Sequence, residues 1–225
     1  MRDETVVADP RWVVACVWIG FPLLGGVAGR LLLALVHWVV TLPWIPLRGP
    51  LELVDSVDEP LATVGSFTIG LVAGLVLAFL TVNDLLALNV SGDRVVFTRG
   101  GVTKTVEKTT VTGVFFDGKK LVLLGRAGEE LAREPSDLTQ AQVTAAFRTH
   151  GYPWLDSGDP FSDHYRRWVE GMPGLPPGAD VLLKAREDAL RKREEHDITE
   201  LRTELAKLGV VVREEKARQY WRLIG

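Results

Sequence analysis

The chain has one cysteine, Cys16, in 225 residues, and no lysine before Asn83. A single cysteine excludes an intrachain disulfide framework and a cysteine-based zinc site. The four histidines, His37, His150, His164 and His196, form no HExxH pair, and neither a GxSxG elbow nor a phosphate-cradling glycine loop is present. His164 beside Asp163 and His196 beside Asp197 are sequence neighbours, which do not face one another on a helix. These absences predict a protein without catalysis, cofactor or metal. An excess of positive charge is also missing: 26 basic against 29 acidic residues give a formal net charge of −3, which argues against non-specific binding of polyanions by the whole chain.

What is present is apolar length. Residues 12 to 47 and 61 to 82 fill much of the first third, and Leu61 to Val82 carries no charge. At about 1.5 Å per residue such a segment spans a hydrocarbon core of roughly 30 Å as one helix. The acidic opening MRDETVVADP and the length of the first apolar run argue against a signal peptide. No turn residues surround Arg30, so a single tilted helix is expected from about Trp12 to Val40, with Pro22 as a candidate kink. Arg30 then either snorkels to the interface or faces a protein partner, and the interfacial role is the simpler one.

The flanks predict sidedness. Between the two apolar runs Arg48 stands against Glu52, Asp55, Asp58 and Glu59, whereas Arg94, Arg99, Lys104 and Lys108 follow the second run. The expectation is an inner-membrane protein with two spans and both termini cytoplasmic. In the connection, TLPWIPLRGP reads as an interfacial turn, with proline stopping the helix and Trp44 suited to the headgroup layer. Gly25 and Gly29 in the first span and Gly70 and Gly74 in the second have GxxxG spacing, which lets helix backbones approach closely. They mark the contact between the two spans or a dimer seam.

Beyond Asp84 the pattern alternates. Strands are expected at Leu86 to Val90, Arg94 to Thr98, Val102 to Val106, Val111 to Phe116, Lys119 to Leu124 and Glu129 to Glu134, separated by glycine-containing turns. Asp117-Gly118 is the strongest hairpin signal, read as the two central residues of a type I′ turn. A helix follows, capped by Ser136 or Asp137, with Leu138, Val143, Ala146 and Phe147 on one side. Residues 151 to 180 are rich in glycine and proline and read as a linker around a short helix, SDHYRRWVEG. Residues 181 to 208 read as two antiparallel helices, with Leu182, Ala185 and Ala189 as one apolar stripe and Ile198, Leu201, Leu205 and Leu208 as the other. Gly209 ends the second helix, and VVVRE with QYWRL completes a small terminal hairpin. The fold class is therefore α+β: two transmembrane helices over residues 1–83, a small β domain closed by a helix over 84–150, a linker, and a helical hairpin with a short β ribbon over 181–225.

The strings LPWIPLRGPLEL, VFFDGKKLVLL, GEELAREPSDL, AAFR and HGYPW, in that order, resemble the YqeB-type bacterial membrane proteins over about residues 12 to 160. That resemblance implies a pleckstrin-homology-like (PH-like) β domain; it implies architecture rather than an activity. PH-like folds often bind lipids or peptides, which makes Lys119 and Lys120 candidates for headgroup contact, against the simpler reading of a solvated hairpin end.

From about residue 178 to 224 the chain resembles the anticodon-recognition end of bacterial cysteinyl-tRNA synthetases, through Arg186, Ala189, Leu201, Arg202, Leu205, Gly209, Val210 and Trp221. It departs from that pattern at Leu190 and Thr199, and the HIGH and KMSKS signatures and zinc cysteines are missing, so aminoacylation is excluded. The resemblance makes Arg186, Arg202, Trp221 and Arg222 candidates for contact with single-stranded RNA, by phosphate pairing and base stacking. The near-balance of charge after Ser162 favours instead a reused interaction hairpin whose Trp221 closes its own core. The sequence thus points to a membrane-tethered, non-catalytic binding or scaffold protein with the bilayer and an unknown cytoplasmic protein as partners; a membrane-localised tRNA-binding accessory is the alternative.

Overall fold

The computed structural model describes residues 4–40, 59–216 and 218–225. The interfacial turn and most of the acidic connection expected between the two apolar runs lie outside the described residues.

The apolar runs form α1 (Arg11–Val40) and α2 (Glu59–Asn83), 30 and 25 residues long, each long and apolar enough to cross a membrane. Pro22 sits inside α1. Two helices of this composition leave large apolar side chains facing outward all round, among them Leu31 at 64% exposure and Ile69 at 72%. They meet along the glycine faces. A Cβ built on Gly25 would lie 2.1 Å from the Gly70 carbonyl oxygen, one on Gly29 would lie 2.2 Å from that of Ser66, and one on Gly74 would lie 2.2 Å from that of Phe21. Only residues without a side chain permit this approach. Arg30, next to Gly29, is exposed on α1, about one helical turn from the Leu61 end of α2.

The β region begins earlier than the alternation suggests. A strand before the first apolar helix, β1 (Glu4–Val7), pairs antiparallel with β2 (Ala87–Ser91), matching Thr5 with Val90 and Val7 with Leu88. With β3 (Arg94–Arg99) and β4 (Val102–Glu107) they form a sheet in the order β1-β2-β3-β4. The strands β5 (Gly113–Asp117), β6 (Lys120–Leu124) and β7 (Glu130–Pro135) form a second sheet, followed by α3 (Gln140–Thr149). The core gathers the inward residues of both sheets, such as Leu88, Val90, Val95, Leu121 and Leu123, with Val143 and Phe147 of α3.

Two local details differ from the sequence reading. Asp117 pairs with Lys120, so the central turn residues are Gly118 and Lys119, and of these only Gly118 has positive φ, at 61°. Glycine at the first central position is the type II′ requirement, and the turn lies one residue later than expected. The N-cap of α3 is Thr139, not Ser136 or Asp137, and its side chain makes no cap hydrogen bond.

The glycine- and proline-rich segment read as a linker makes defined contacts. Val114 accepts a hydrogen bond from Leu155 N–H (2.8 Å) and donates one to Pro153 O (2.9 Å), which adds residues 153–155 to the β5 edge. Tyr152 is buried and donates its hydroxyl to Ser91 O at 3.0 Å, with its ring edge-on to Phe147. Instead of the short helix, a single 3₁₀ turn at Ser162–His164 leads into β8 (Arg166–Arg167), which pairs with the last strand of the chain. Then come α4 (Ala179–Lys192), α5 (Glu195–Lys207), β9 (Val210–Glu215) and β10 (Arg218–Leu223), sheet order β8-β10-β9. Gly209, with φ 75°, terminates α5 as expected. The buried face of α4 is Ala179, Leu183, Arg186 and Ala189, while Ala185 is exposed and Leu182 only half-buried. Of the expected stripe Ala189 is buried, whereas at the other two positions the buried residue is the next one, Leu183 or Arg186, because the expectation counts only apolar residues and passes over a buried arginine. Trp168, Leu183, Leu205, Val210, Val212 and Trp221 close a core of their own.

The chain divides into two compact units. One holds α1, α2 and the tip Thr98–Thr103; the other holds β1, Leu88–Phe97 and everything from Lys104 onward. The β module and the C-terminal hairpin therefore belong to one unit.

Candidate functional site

Charge collects where the β module meets the C-terminal hairpin. Glu214, on β9, is the hub. Its carboxylate accepts hydrogen bonds from Arg186 of α4 (2.6 Å) and Arg202 of α5 (2.8 Å), and Lys120 at the start of β6 reaches it from the other module. Arg202 also donates to Val212 O (3.0 Å) and lies 3.4 Å from Glu130 of β7. Glu130 in turn accepts from Arg133 (2.9 Å), whose other guanidinium nitrogen meets Asp117. Six charged residues from β5, β6, β7, α5 and β9, with Arg186 from α4 beneath them, thus form one continuous network.

The network is partly dry. Arg186 is fully buried, donating to Gln219 Oε1 at 2.7 Å, while the Gln219 amide donates to Leu183 O at 2.8 Å. Burial would push the Glu214 carboxyl up, but Arg202, Arg186 and Lys120 outweigh it and hold its pKa well below the usual carboxylate range. For Glu130 the balance falls the other way: burial raises its pKa against the pull of Arg133 and Arg202. Burial, helped by the positive charge of Arg202, lowers the pKa of Arg186. Backbone contacts extend the seam, since Arg222 donates to Gly128 O (2.5 Å) and Gly225 N–H to Ala127 O (3.2 Å). Beside it lies a cleft of about 360 Å³, lined by Glu130, Arg133, Glu134, Thr199, Arg202 and Val212 among others.

This geometry decides what the candidate residues face. Arg186, Trp221 and Arg222 are buried, and the Arg202 side chain is only 17% exposed. Trp221 packs in the hairpin core with its indole N–H 3.1 Å from the Met172 sulfur, and the Arg222 guanidinium lies over the Phe161 ring, 4.4 Å from its centroid. All four candidates for RNA contact have internal partners, and none presents an open stacking or phosphate-binding group. Lys120 is likewise engaged by Glu214, and Lys119, 87% exposed and 3.6 Å from Asp137, stands at the exposed end of that hairpin. Gly25, Gly29, Gly70 and Gly74 all lie on the crossing of α1 and α2. Among the histidines, His196 stands 3.9 Å from Glu200 and His164 packs edge-on to Phe161, while His150 shares a 2.8 Å hydrogen bond with Thr5 of β1. Sequence reasoning missed Glu130, Arg133, Glu214 and Gln219: apart from the Glu130–Arg133 pair, three residues apart, their partners are distant along the chain.

Comparison with known proteins agrees with this architecture. Residues 5–155 match the model of the YqeB-like bacterial PH domain, and residues 172–222 that of the cysteinyl-tRNA ligase anticodon binding domain. The first match starts inside β1 and runs through both apolar helices to the segment that extends the β5 edge. A relative from Bacillus subtilis (strain 168), described as "Uncharacterized protein YqeB", is 40% identical over 221 residues, which is 98% of this chain and 92% of the relative. No solved structure matches the chain. With the family model covering more than half of its length and a relative of this identity spanning nearly all of it, the chain belongs to the YqeB-like bacterial PH domain family.

Proposed function

We propose that this chain is a membrane-tethered, non-catalytic binding or scaffold protein that presents its PH-like module and C-terminal hairpin to the cytoplasm as one binding unit. The observation that carries the tether is the outward apolar surface of α1 and α2. A core helix of a soluble protein buries its large side chains, whereas Leu24, Leu31, Ile69 and Leu77 are all more than half exposed. Lipid is the solvent that suits such a surface. The pairing of β1 with β2 supports placing both ends on one side, because two crossings return the chain to where it began. The basic residues Arg94, Arg99, Lys104 and Lys108 support the cytoplasmic side.

Carbonate-washed membranes should retain the full chain, and recovery of the intact chain in the cytosol would overturn the tether. The partner is best sought with the full chain in detergent, because a fragment starting at residue 84 lacks β1 and leaves β2 without its neighbour. A second reading, contact with tRNA, is favoured by the anticodon-binding match over residues 172–222. It would have to use surface residues other than the four internal ones. Crosslinking in cells followed by sequencing of bound RNA separates the readings: a scaffold gives background, and a tRNA binder enriches a narrow set.

A further inference from the structure

We infer that the tip between β3 and β4, Thr98–Thr103, is a lipid-contact element that sets Val102 in the headgroup layer of the membrane. The inference rests on α2 being a membrane span. From Leu61 to Val82 that helix has no charged residue, and at about 1.5 Å per residue it covers roughly the thickness of a hydrocarbon core. Asn83 and Asp84, the polar residues that follow, then lie at headgroup level.

The tip is bonded to that level at two points. Gly100 N–H donates to Asn83 O at 2.8 Å, and the Arg99 guanidinium meets Asp84 at 3.5 Å. Gly100 and Gly101 have φ of 58° and 74°, the consecutive positive values that a tight two-residue turn demands. Glycine adopts both conformations without strain, so the turn stays short and keeps its next residue close to Asn83. That residue is Val102, 73% exposed. A lone exposed valine is unremarkable in water. At the end of a membrane span it gains an apolar environment. This hairpin touches α2 at Asn83, whereas on the β5–β6 hairpin Lys120 is engaged by Glu214.

The test uses the full chain with Cys16→Ala, spin-labelled at Val102→Cys and reconstituted in vesicles of phosphatidylcholine and phosphatidylglycerol. Collisions with oxygen and with a water-soluble nickel chelate report depth. A label at Leu77→Cys, outward on α2, marks the hydrocarbon, and free label in buffer marks water. The Val102 label should fall between these references, with its nickel accessibility reduced several-fold from that of free label. A Val102 label as accessible to nickel as free label, with the Leu77 label shielded, would overturn the inference while leaving the tether intact. If both labels behave like free label, the membrane span itself is wrong and the inference falls with it.

Discussion

Glu214 shows how much one side chain can carry in this seam. Its carboxylate is the counter-charge for the fully buried Arg186, and it also binds Arg202 and Lys120. Removing one partner of a buried pair strands the other, at a cost of about 3–5 kcal/mol. Glu214→Gln keeps the shape and removes the charge, so urea titration of the variant should show a loss of that order. Lys120→Gln removes a partner whose side chain is 34% exposed and should cost about 1 kcal/mol or less. The pH dependence has a definite sign. Because the folded pKa of Glu214 is depressed below its ordinary 4.5, its contribution is present above that value and is lost as the pH falls through the folded pKa. Glu130, with a raised pKa, works in the opposite sense and cannot account for an acid loss. Unfolding followed between about pH 5 and pH 3 should therefore lose stability more steeply in the wild type than in Glu214→Gln. None of this is legible from REEK in the sequence, since the partners of Glu214 lie 12, 28 and 94 residues away.

At the scale of elements, legibility follows how local the signal is. Six strands between Ala87 and Pro135 were readable within a residue or two because alternation and glycine turns are local properties. β1 was not, because four residues without a turn say nothing until β2 supplies the partner. The GxxxG spacing was readable as a close approach, but the sequence left open whether the second helix belongs to the same chain. The crossing makes opposite predictions for two glycines five residues apart on α2. A Cβ at Gly70 would overlap the Gly25 carbonyl at 2.1 Å, backbone that can give way only if the helices separate. A Cβ at Gly65 meets nothing within 4 Å. In detergent-solubilised protein, Gly70→Ala should lower the melting temperature by several degrees, whereas Gly65→Ala should be neutral or stabilise by up to about 1 kcal/mol through helix propensity. Equal effects of the two substitutions would mean that α1 and α2 do not cross there.

For the whole molecule, the decisive fact is that the β module is discontinuous in sequence: β1 lies before both apolar helices and the rest of the sheet after them. The two helices are thus an excursion between neighbouring strands. In the β1–β2 register Val7 pairs with Leu88, so the ends of the excursion lie side by side, as in a hairpin. Replacing residues 8–87 by Asn-Gly should join Val7 to Leu88 through a two-residue turn of the type such pairs accept. The resulting chain keeps the β1–β2 pairing, both sheets and the ionic seam around Glu214, and loses both apolar helices, so that Val102 is the one residue assigned to the membrane that it retains. It should be recovered from the cytosol as a folded monomer, with β2 amides protected from hydrogen exchange and the same acid sensitivity as the full chain. A fragment of residues 88–225 lacks only β1 by comparison, and its β2 amides should exchange faster, because their partners on Glu4–Val7 are gone. If the joined chain aggregates while the fragment folds, β1 does not belong to this sheet, and the argument that both ends share one side of the membrane fails with it.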